Sequence, residues 1–137
     1  MVISRDMDDS GLKTIQSQYS VSTTADSLEA ILKEKGMNIF ARVDHAAGAK
    51  KIGENLRPTE LLIFGNPQTG TPLIQSQQTA AIDLPQKILI WEDAQKNIWL
   101  SYNDPDYLAN RHAINDCDEM INKISTALDN IARQVTE

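Results

Sequence analysis

Two short runs rich in β-branched and aromatic residues, at 87–91 and 98–102, constrain the fold of this chain more than any other feature. The runs read KILIW and IWLSY, and a polar segment containing Asp93 and Asn97 separates them. β-Branched and aromatic residues favour strands, and a short polar loop between two such runs is typical of a hairpin. The sequence therefore predicts two adjacent antiparallel strands at these positions.

The residues before this hairpin predict three more strands and one amphipathic helix. Alternating or continuous apolar residues mark the strands, which we place at 12–21, 37–44 and 61–64. Leu28, Ile31 and Leu32 repeat at helical spacing after hydroxyl residues at 22–24, which can cap a helix. We therefore expect a helix over 24–35, between the first two strands.

Three shorter helical segments are predicted from their capping residues. Asp44 precedes an alanine-rich stretch, which favours a short helix. Thr71 and Asp104 each precede a proline, and a capping side chain before a proline is typical of a helix start. The first of these two signals predicts one or two helical turns over 73–82, and the second predicts a helix directly after the hairpin.

The last predicted helix covers 116–134 and is the longest. Its apolar residues recur from Cys117 to Val135 at alternating spacings of four and three, which forms one continuous stripe. Cys117 lies on that stripe, so we expect a small core residue rather than a reactive thiol. The order of strand, helix, four strands and helix predicts an α+β fold with an antiparallel sheet covered on one face.

Length and charge exclude several classes of protein. Residues 1–11 read as a flexible N-terminal arm, and 12–137 are enough for a single domain with one core. The net charge of −6 argues against nucleic-acid binding, which needs a basic surface.

No run reaches the roughly 18 apolar residues of a membrane span, and the first residues lack a signal peptide. We expect a cytoplasmic protein, or a periplasmic one if a signal has been removed.

Several linked motifs occur in one order along the chain. FGNP is followed by GTPL, then by LPQKILIWED and by WLSYNDPDYLANRH, and ILKEKGMNIFARVDHAAGAKKIG precedes them. From about Ser20 to the end, this series resembles the domain of unknown function 302 family. The resemblance implies a TATA-binding-protein-like fold, in which a curved sheet of four to five strands in β-α-β4-α order packs against a long C-terminal helix. It also implies a homodimer, and it implies no established activity.

Polar side chains that can bind a ligand gather near the ends of the predicted strands. The candidates are His45, Asn66, Thr71, Glu92, Tyr102, Asp104, Arg111 and His112. We expect them to frame a pocket between the 64–72 loop, the hairpin and the 104–112 turn. Arg111 can bind a ligand carboxylate in bidentate fashion, but an ion pair with Asp104 or Glu92 is the favoured interpretation.

These residues leave two other functions open. An enzyme could use Glu92 or Asp93 as a base, His45 or His112 as its partner, and Arg111 to hold an anionic substrate. Both histidines with one of those carboxylates could also bind zinc, but they lie too far apart in sequence for a known metal motif. We therefore predict no metal and no cofactor. The favoured hypothesis is a small non-catalytic module, homodimeric, with a small-molecule ligand or a structural role.

Overall fold

The computed structural model describes residues 4–5 and 10–137, which form one antiparallel sheet and five α-helices. The strands are β1 (Ser4–Arg5), β2 (Leu12–Ser17), β3 (Asn38–Asp44), β4 (Thr59–Gly65), β5 (Gln86–Glu92) and β6 (Ile98–Asn103). The helices are α1 (Val21–Glu34), α2 (His45–Lys51), α3 (Pro67–Ser76), α4 (Pro105–Arg111) and α5 (Asp118–Thr136), with a 3₁₀ helix at Gln78–Asp83.

The strands lie side by side in the order β1-β2-β6-β5-β4-β3. Five of them have six or seven residues, and the two-residue β1 extends one edge. The predicted α+β class and the β-α-β4-α order are confirmed, with short helices inserted between strands. The predicted hairpin is formed by β5 and β6, where Ile90 lies opposite Leu100. Residues 1–3 and 6–9 of the predicted N-terminal arm lie outside the described residues.

One face of the sheet forms the core with α1 and α5. Successive side chains of a strand point to opposite faces, so alternate residues of β4, β5 and β6 face the two long helices. These residues are fully or almost fully buried and include Leu62, Phe64, Ile88, Ile90 and Leu100. The predicted apolar stripe of α5 packs against them through Ile121, Ile124, Leu128, Ile131 and Val135. The core therefore lies on a single side of the sheet.

The other set of alternate side chains forms a second face, which we call the open face. Strand register aligns its residues in rows that cross the sheet. One row runs through Thr14, Ser101, Leu89, Leu61 and Val43, and the next through Gln16, Trp99, Trp91 and Thr59. Leu61, Leu89 and Trp91 are only half-buried, and Val43 is exposed. The two long helices lie on the opposite face, so apolar side chains of the open face remain accessible.

The start of α3 differs from its prediction. The helix begins at Pro67 with Asn66 as its N-cap, whose side-chain oxygen accepts a hydrogen bond from Gln68 N at 2.9 Å. Thr71 and Pro72, predicted to be the cap and the first helical residue, lie inside the helix. The earlier of two capping signals starts the helix, since Asn66 also precedes a proline that fits the first helical position.

The other predicted helices are present with shifted ends. Ser20 caps α1 by accepting from Thr23 N, so the helix begins at Val21, and the first strand ends at Ser17 instead of residue 21. The last helix begins at Asp118 and extends to Thr136. Cys117, just before it, is half-buried against the core, and burial raises the pKa of its thiol. The ends of both helices lie within three residues of their predicted positions.

Arg42 of β3 connects the sheet to α1. Its Nε donates to Glu60 Oε1 at 2.8 Å, and its Nη1 lies 2.8 Å from Asp26 Oδ1 and 3.6 Å from Glu29 Oε1. Glu60 is only 8% exposed on the helix side of β4, so its carboxylate needs this partner. The hydrogen bond to Glu60 is the largest influence that raises the pKa of Arg42. Arg42 therefore satisfies a buried charge while it anchors the edge strand.

Gly11 sets the approach of α4 to the start of β2. Its backbone has a φ of +77°, and a Cβ atom at this position would lie 2.2 Å from Cγ of Tyr107. Its carbonyl also accepts a hydrogen bond from Asp104 N at 2.8 Å. The aromatic ring of Tyr107 thus occupies the space that any other residue at position 11 would need.

We expect Gly11→Ala to destabilise the protein more than Gly36→Ala. Gly36 has a nearly equal φ of +74°, but no atom lies within 4 Å of the point that a Cβ atom would occupy there, so its substitution costs only about 1 kcal/mol of backbone strain. Gly11→Ala adds a clash with Tyr107, which should cost about 2 kcal/mol more. Urea unfolding of both variants measures the difference. Equal losses would show that Tyr107 moves away without penalty.

Candidate functional site

A groove of about 470 Å³ lies on the open face, over β2, β6 and β5. This volume falls in the range of small-molecule pockets, which is about 300–1,000 Å³. Apolar and polar residues both line the groove. They are Ser10, Leu12, Thr14, Leu61, Lys87, Leu89, Trp91, Ser101, Tyr102 and Asn103. The groove therefore offers an apolar surface with a few fixed polar groups, as small-molecule sites usually do.

Hydrogen bonds fix the polar floor of the groove. The hydroxyl of Ser101, which is 5% exposed, lies 2.9 Å from Thr14 Oγ1. The indole Nε1 of Trp91 donates to the same hydroxyl at 2.9 Å. Because these three side chains come from β2, β5 and β6, the network holds the Trp91 ring against the floor. A ligand would meet a preformed aromatic surface here.

Trp99 and Asp93 stabilise the hairpin beside the groove. The Asp93 carboxylate accepts from Trp99 Nε1 at 2.8 Å and from the backbone N–H groups of Gln95 and Asn97 at 2.9 Å each. The bond from Trp99 is the largest influence that lowers the pKa of Asp93. Asp93 is therefore ionised and fully engaged with the hairpin. In this geometry the Asp93 carboxylate acts as a hydrogen-bond acceptor within the hairpin.

Lys87 supplies the positive charge of the groove. Its Nζ donates to the carbonyl oxygens of Asp83 at 3.3 Å and Pro85 at 3.1 Å. Within the described part of the chain it forms no ion pair with a carboxylate. The ammonium group is thus held in place by neutral acceptors, and its charge is available to an anion in the groove.

Arg111 and His112 bind Asp83, which directly follows the predicted 73–82 segment and was not among the candidate site residues. Arg111 Nη1 lies 3.1 Å from both carboxylate oxygens of Asp83, so the expected pairing of Arg111 with Asp104 or Glu92 is wrong. His112 Nε2 lies 2.6 Å from Asp83 Oδ2, and its Nδ1 lies 3.0 Å from Thr79 Oγ1. These contacts connect the end of α4 to the 3₁₀ helix, because the connection after α3 brings Asp83 back to that helix.

The remaining predicted residues do not converge on one pocket. Asn66 and Asp104 are N-caps, Thr71 and His45 are exposed on helices, Glu92 ends β5, and Tyr102 is buried on the helix side. Strand register places Asn66, Asp104, Arg111 and His112 at one end of the sheet, and His45 and Glu92 at the other. The expected grouping of all eight candidates is therefore not observed.

This separation also decides against a zinc site made from both histidines. His45 is the first residue of α2 and His112 follows α4, at opposite ends of the sheet. Among the described residues, no three His, Cys, Asp or Glu side chains are close enough to hold a metal ion. The alternative hypothesis of zinc bound by His45, His112 and a hairpin carboxylate is wrong, because the antiparallel register keeps the histidines apart.

The burial of Tyr102 predicts that the folding stability of the protein depends on pH above about pH 10. Its burial raises the pKa of the phenol to about 12. Below pH 10 the phenol is neutral in both the folded and the unfolded protein. Between about pH 10 and 12 the phenol loses its proton in the unfolded chain but keeps it in the folded protein. Stability should therefore fall by about 2 to 3 kcal/mol across this interval. Urea unfolding at several pH values should show a shallower fall for Tyr102→Phe, and parallel curves for both proteins would contradict the prediction.

A family model and two curated relatives match most of this chain. The model described as Domain of unknown function DUF302 matches residues 13–131. Fluoride-specific ion channel FluC 1 of Brucella suis biovar 1 is 53% identical over 106 residues, which cover 77% of this chain and 42% of that protein. Fluoride-specific ion channel FluC 2 of Brucella melitensis biotype 1 has the same identity over 106 residues and is covered to 39%. The matched region is thus about two-fifths of the length of each relative.

A solved structure has the same fold. The crystal structure of an uncharacterized conserved DUF302 protein from Bacillus stearothermophilus superposes with a TM-score of 0.80 and covers 93% of this chain and 98% of its own. The two sequences are 16% identical, so this likeness concerns the fold alone. Within residues 4–5 and 10–137, no helix is both long and apolar enough to span a membrane.

Proposed function

The chain belongs to the DUF302 family, and we propose that it is a homodimeric, non-catalytic module that binds a small amphipathic anion on the open face of its sheet. The groove beside Trp91 and Lys87 carries this proposal, because it joins an aromatic surface to a positive charge that has no carboxylate partner among the described residues. Residues 12–137 act as one domain in this proposal.

The groove favours an anion with an apolar body. Leu61, Leu89 and Trp91 provide the apolar surface, and Ser101 provides a fixed hydroxyl. Lys87 attracts negative charge, and no acidic side chain of the described residues lines the groove. A ligand with a flat apolar part and one acidic group would thus satisfy both kinds of lining residue, whereas a cation would meet the Lys87 ammonium.

The edge of the open face supports a dimer. Phe40 and Val43 of the edge strand β3 are 59% and 36% exposed. The Phe40 ring lies over Gly65, within 3.9 Å of the Cβ position there, so it stands on the open face. Neighbouring exposed apolar side chains on an edge strand favour contact with another protein surface. A second copy that covers Phe40 and Val43 would leave the groove over β2, β6 and β5 accessible.

An accessory role beside a fluoride channel is a second candidate function. It is supported by the identity between this chain and the two Brucella relatives, which are named as fluoride-specific channels. Since more than half of each relative lies outside the match, the shared region would modify the channel rather than form it. Fluoride efflux from liposomes should then differ between the intact Brucella suis protein and a version without the matched segment, and equal efflux would exclude this role.

Light scattering tests the dimer. At micromolar concentration the protein should have a mass near twice 15.2 kDa. Phe40→Glu should give a mass near 15.2 kDa, because it places a charge in the apolar contact. Ile82→Glu is the matched control, since Ile82 is 72% exposed but belongs to the 3₁₀ helix and not to β3. A monomeric wild type, or equal masses for the two variants, would refute this interface.

Binding of anilinonaphthalene sulfonate tests the groove. This probe has an apolar ring system and one negative charge, so it should bind over Trp91 and quench its fluorescence. Lys87→Gln should weaken binding about tenfold, which corresponds to about 1.4 kcal/mol. Lys50→Gln removes an equal charge from α2 and should leave the affinity unchanged. Equal affinities of the two variants would show that Lys87 does not recognise the anion.

A further inference from the structure

A second cavity, of about 170 Å³, lies on the helix side of the molecule, where the end of β4 meets α3 and α5. Apolar side chains form its walls: Met37, Phe64, Ile124, Leu128 and Ile131. Ala127 of α5 also lines it, and its short side chain leaves space between α5 and the sheet. This cavity shares no lining residue with the groove on the open face. The two cavities can therefore be tested independently.

Five side chains with hydrogen-bond donors line this cavity, and two of them, Asn66 and Thr69, form hydrogen bonds at the start of α3. Lys123 of α5 contributes an ammonium group, and Gln68 and Gln86 contribute amides. Across the described residues, none of these three side chains forms a hydrogen bond or ion pair with another part of the chain. No acidic residue of the described chain lines the cavity, although the net charge is −6. The donors are thus available to a negatively charged group.

From this combination of apolar walls and uncommitted donors, we infer that the cavity binds a small monocarboxylic acid with an aromatic or branched tail. The tail would lie among Phe64, Leu128 and Ile131, and the carboxylate would face Lys123. The size fits, because a cavity of about 150 Å³ lined by leucine, isoleucine and phenylalanine accommodates benzene. The carboxylate would gain charge-assisted hydrogen bonds from the ammonium and amide groups.

Other classes of ligand fit this cavity less well. Its volume is below the roughly 300 Å³ or more that is usual for drug-sized ligands, so a nucleotide would not enter. Inorganic phosphate could reach Lys123 but would leave the apolar walls uncovered. A small amine would place its charge next to the Lys123 ammonium. An acid with one compact apolar group satisfies both the walls and the donors.

Methyl resonances of the intact protein provide the test, with benzoate as the probe. Benzoate at millimolar concentration should shift the methyl signals of Ile124, Leu128 and Ile131, which line the cavity. Benzyl alcohol, which has the same ring without a charge, should bind at least about tenfold more weakly, because an ion pair worth about 1.4 kcal/mol is lost. Absence of benzoate shifts, or shifts confined to Leu61 and Leu89 of the open face, would overturn the inference.

Two variants test the apolar cavity and the contact with the carboxylate separately. Ala127→Leu should abolish the benzoate shifts by filling the cavity, and Lys123→Gln should weaken benzoate binding about tenfold while benzyl alcohol binding is unchanged. Lys50→Gln, on α2, controls for the loss of one positive charge. Lys123 is exposed, so its substitution should not disturb folding. Benzoate affinity that is equal in wild type, Lys123→Gln and Lys50→Gln would exclude carboxylate recognition by Lys123.

Discussion

The packing of two helices on only one face of the sheet determines the rest of this structure. Side chains of a strand alternate between faces, so residues such as Leu62 and Leu61 enter different environments although they are neighbours in sequence. The residues that face α1 and α5 form the core, and burial of their apolar area supplies most of the favourable free energy of folding. The opposite face contributes less to the core and is free to carry a groove, its tryptophans and an exposed edge.

Local patterns in the sequence predict most of the architecture. The hairpin and α5 follow from periodicity within a few residues, and the structure has both nearly where the sequence places them. The start of α3 is different, because Asn66 and Thr71 both precede proline and both can cap a helix. Local signals alone do not choose between them, and in the structure Asn66 is the cap, since its side-chain oxygen accepts a hydrogen bond from Gln68 N.

The site is harder to predict, because chemical type does not indicate where a side chain will be used. Asn66 and Asp104 have the chemistry of ligand-binding residues but serve as helix caps. Asp83, which organises Arg111 and His112, carries no motif, since its partners lie 28 and 29 positions further along the chain. The row from Thr14 to Leu61 cannot be predicted from local sequence patterns for the same reason. Only strand register brings its residues together.

Charge distribution connects the two proposed binding sites. The chain is acidic overall, so its surface potential should repel anions from most positions and retain them where a lysine lacks a carboxylate partner. Lys87 and Lys123 both meet this condition within the described chain, next to apolar surface on opposite sides of the sheet. The two ammonium groups differ in how they are held. Backbone carbonyls accept hydrogen bonds from Lys87 Nζ, whereas Lys123 lies at an exposed position of α5. A held ammonium selects an anion by geometry, and a freely rotating one selects mainly by charge. The larger groove should therefore be the more discriminating of the two sites.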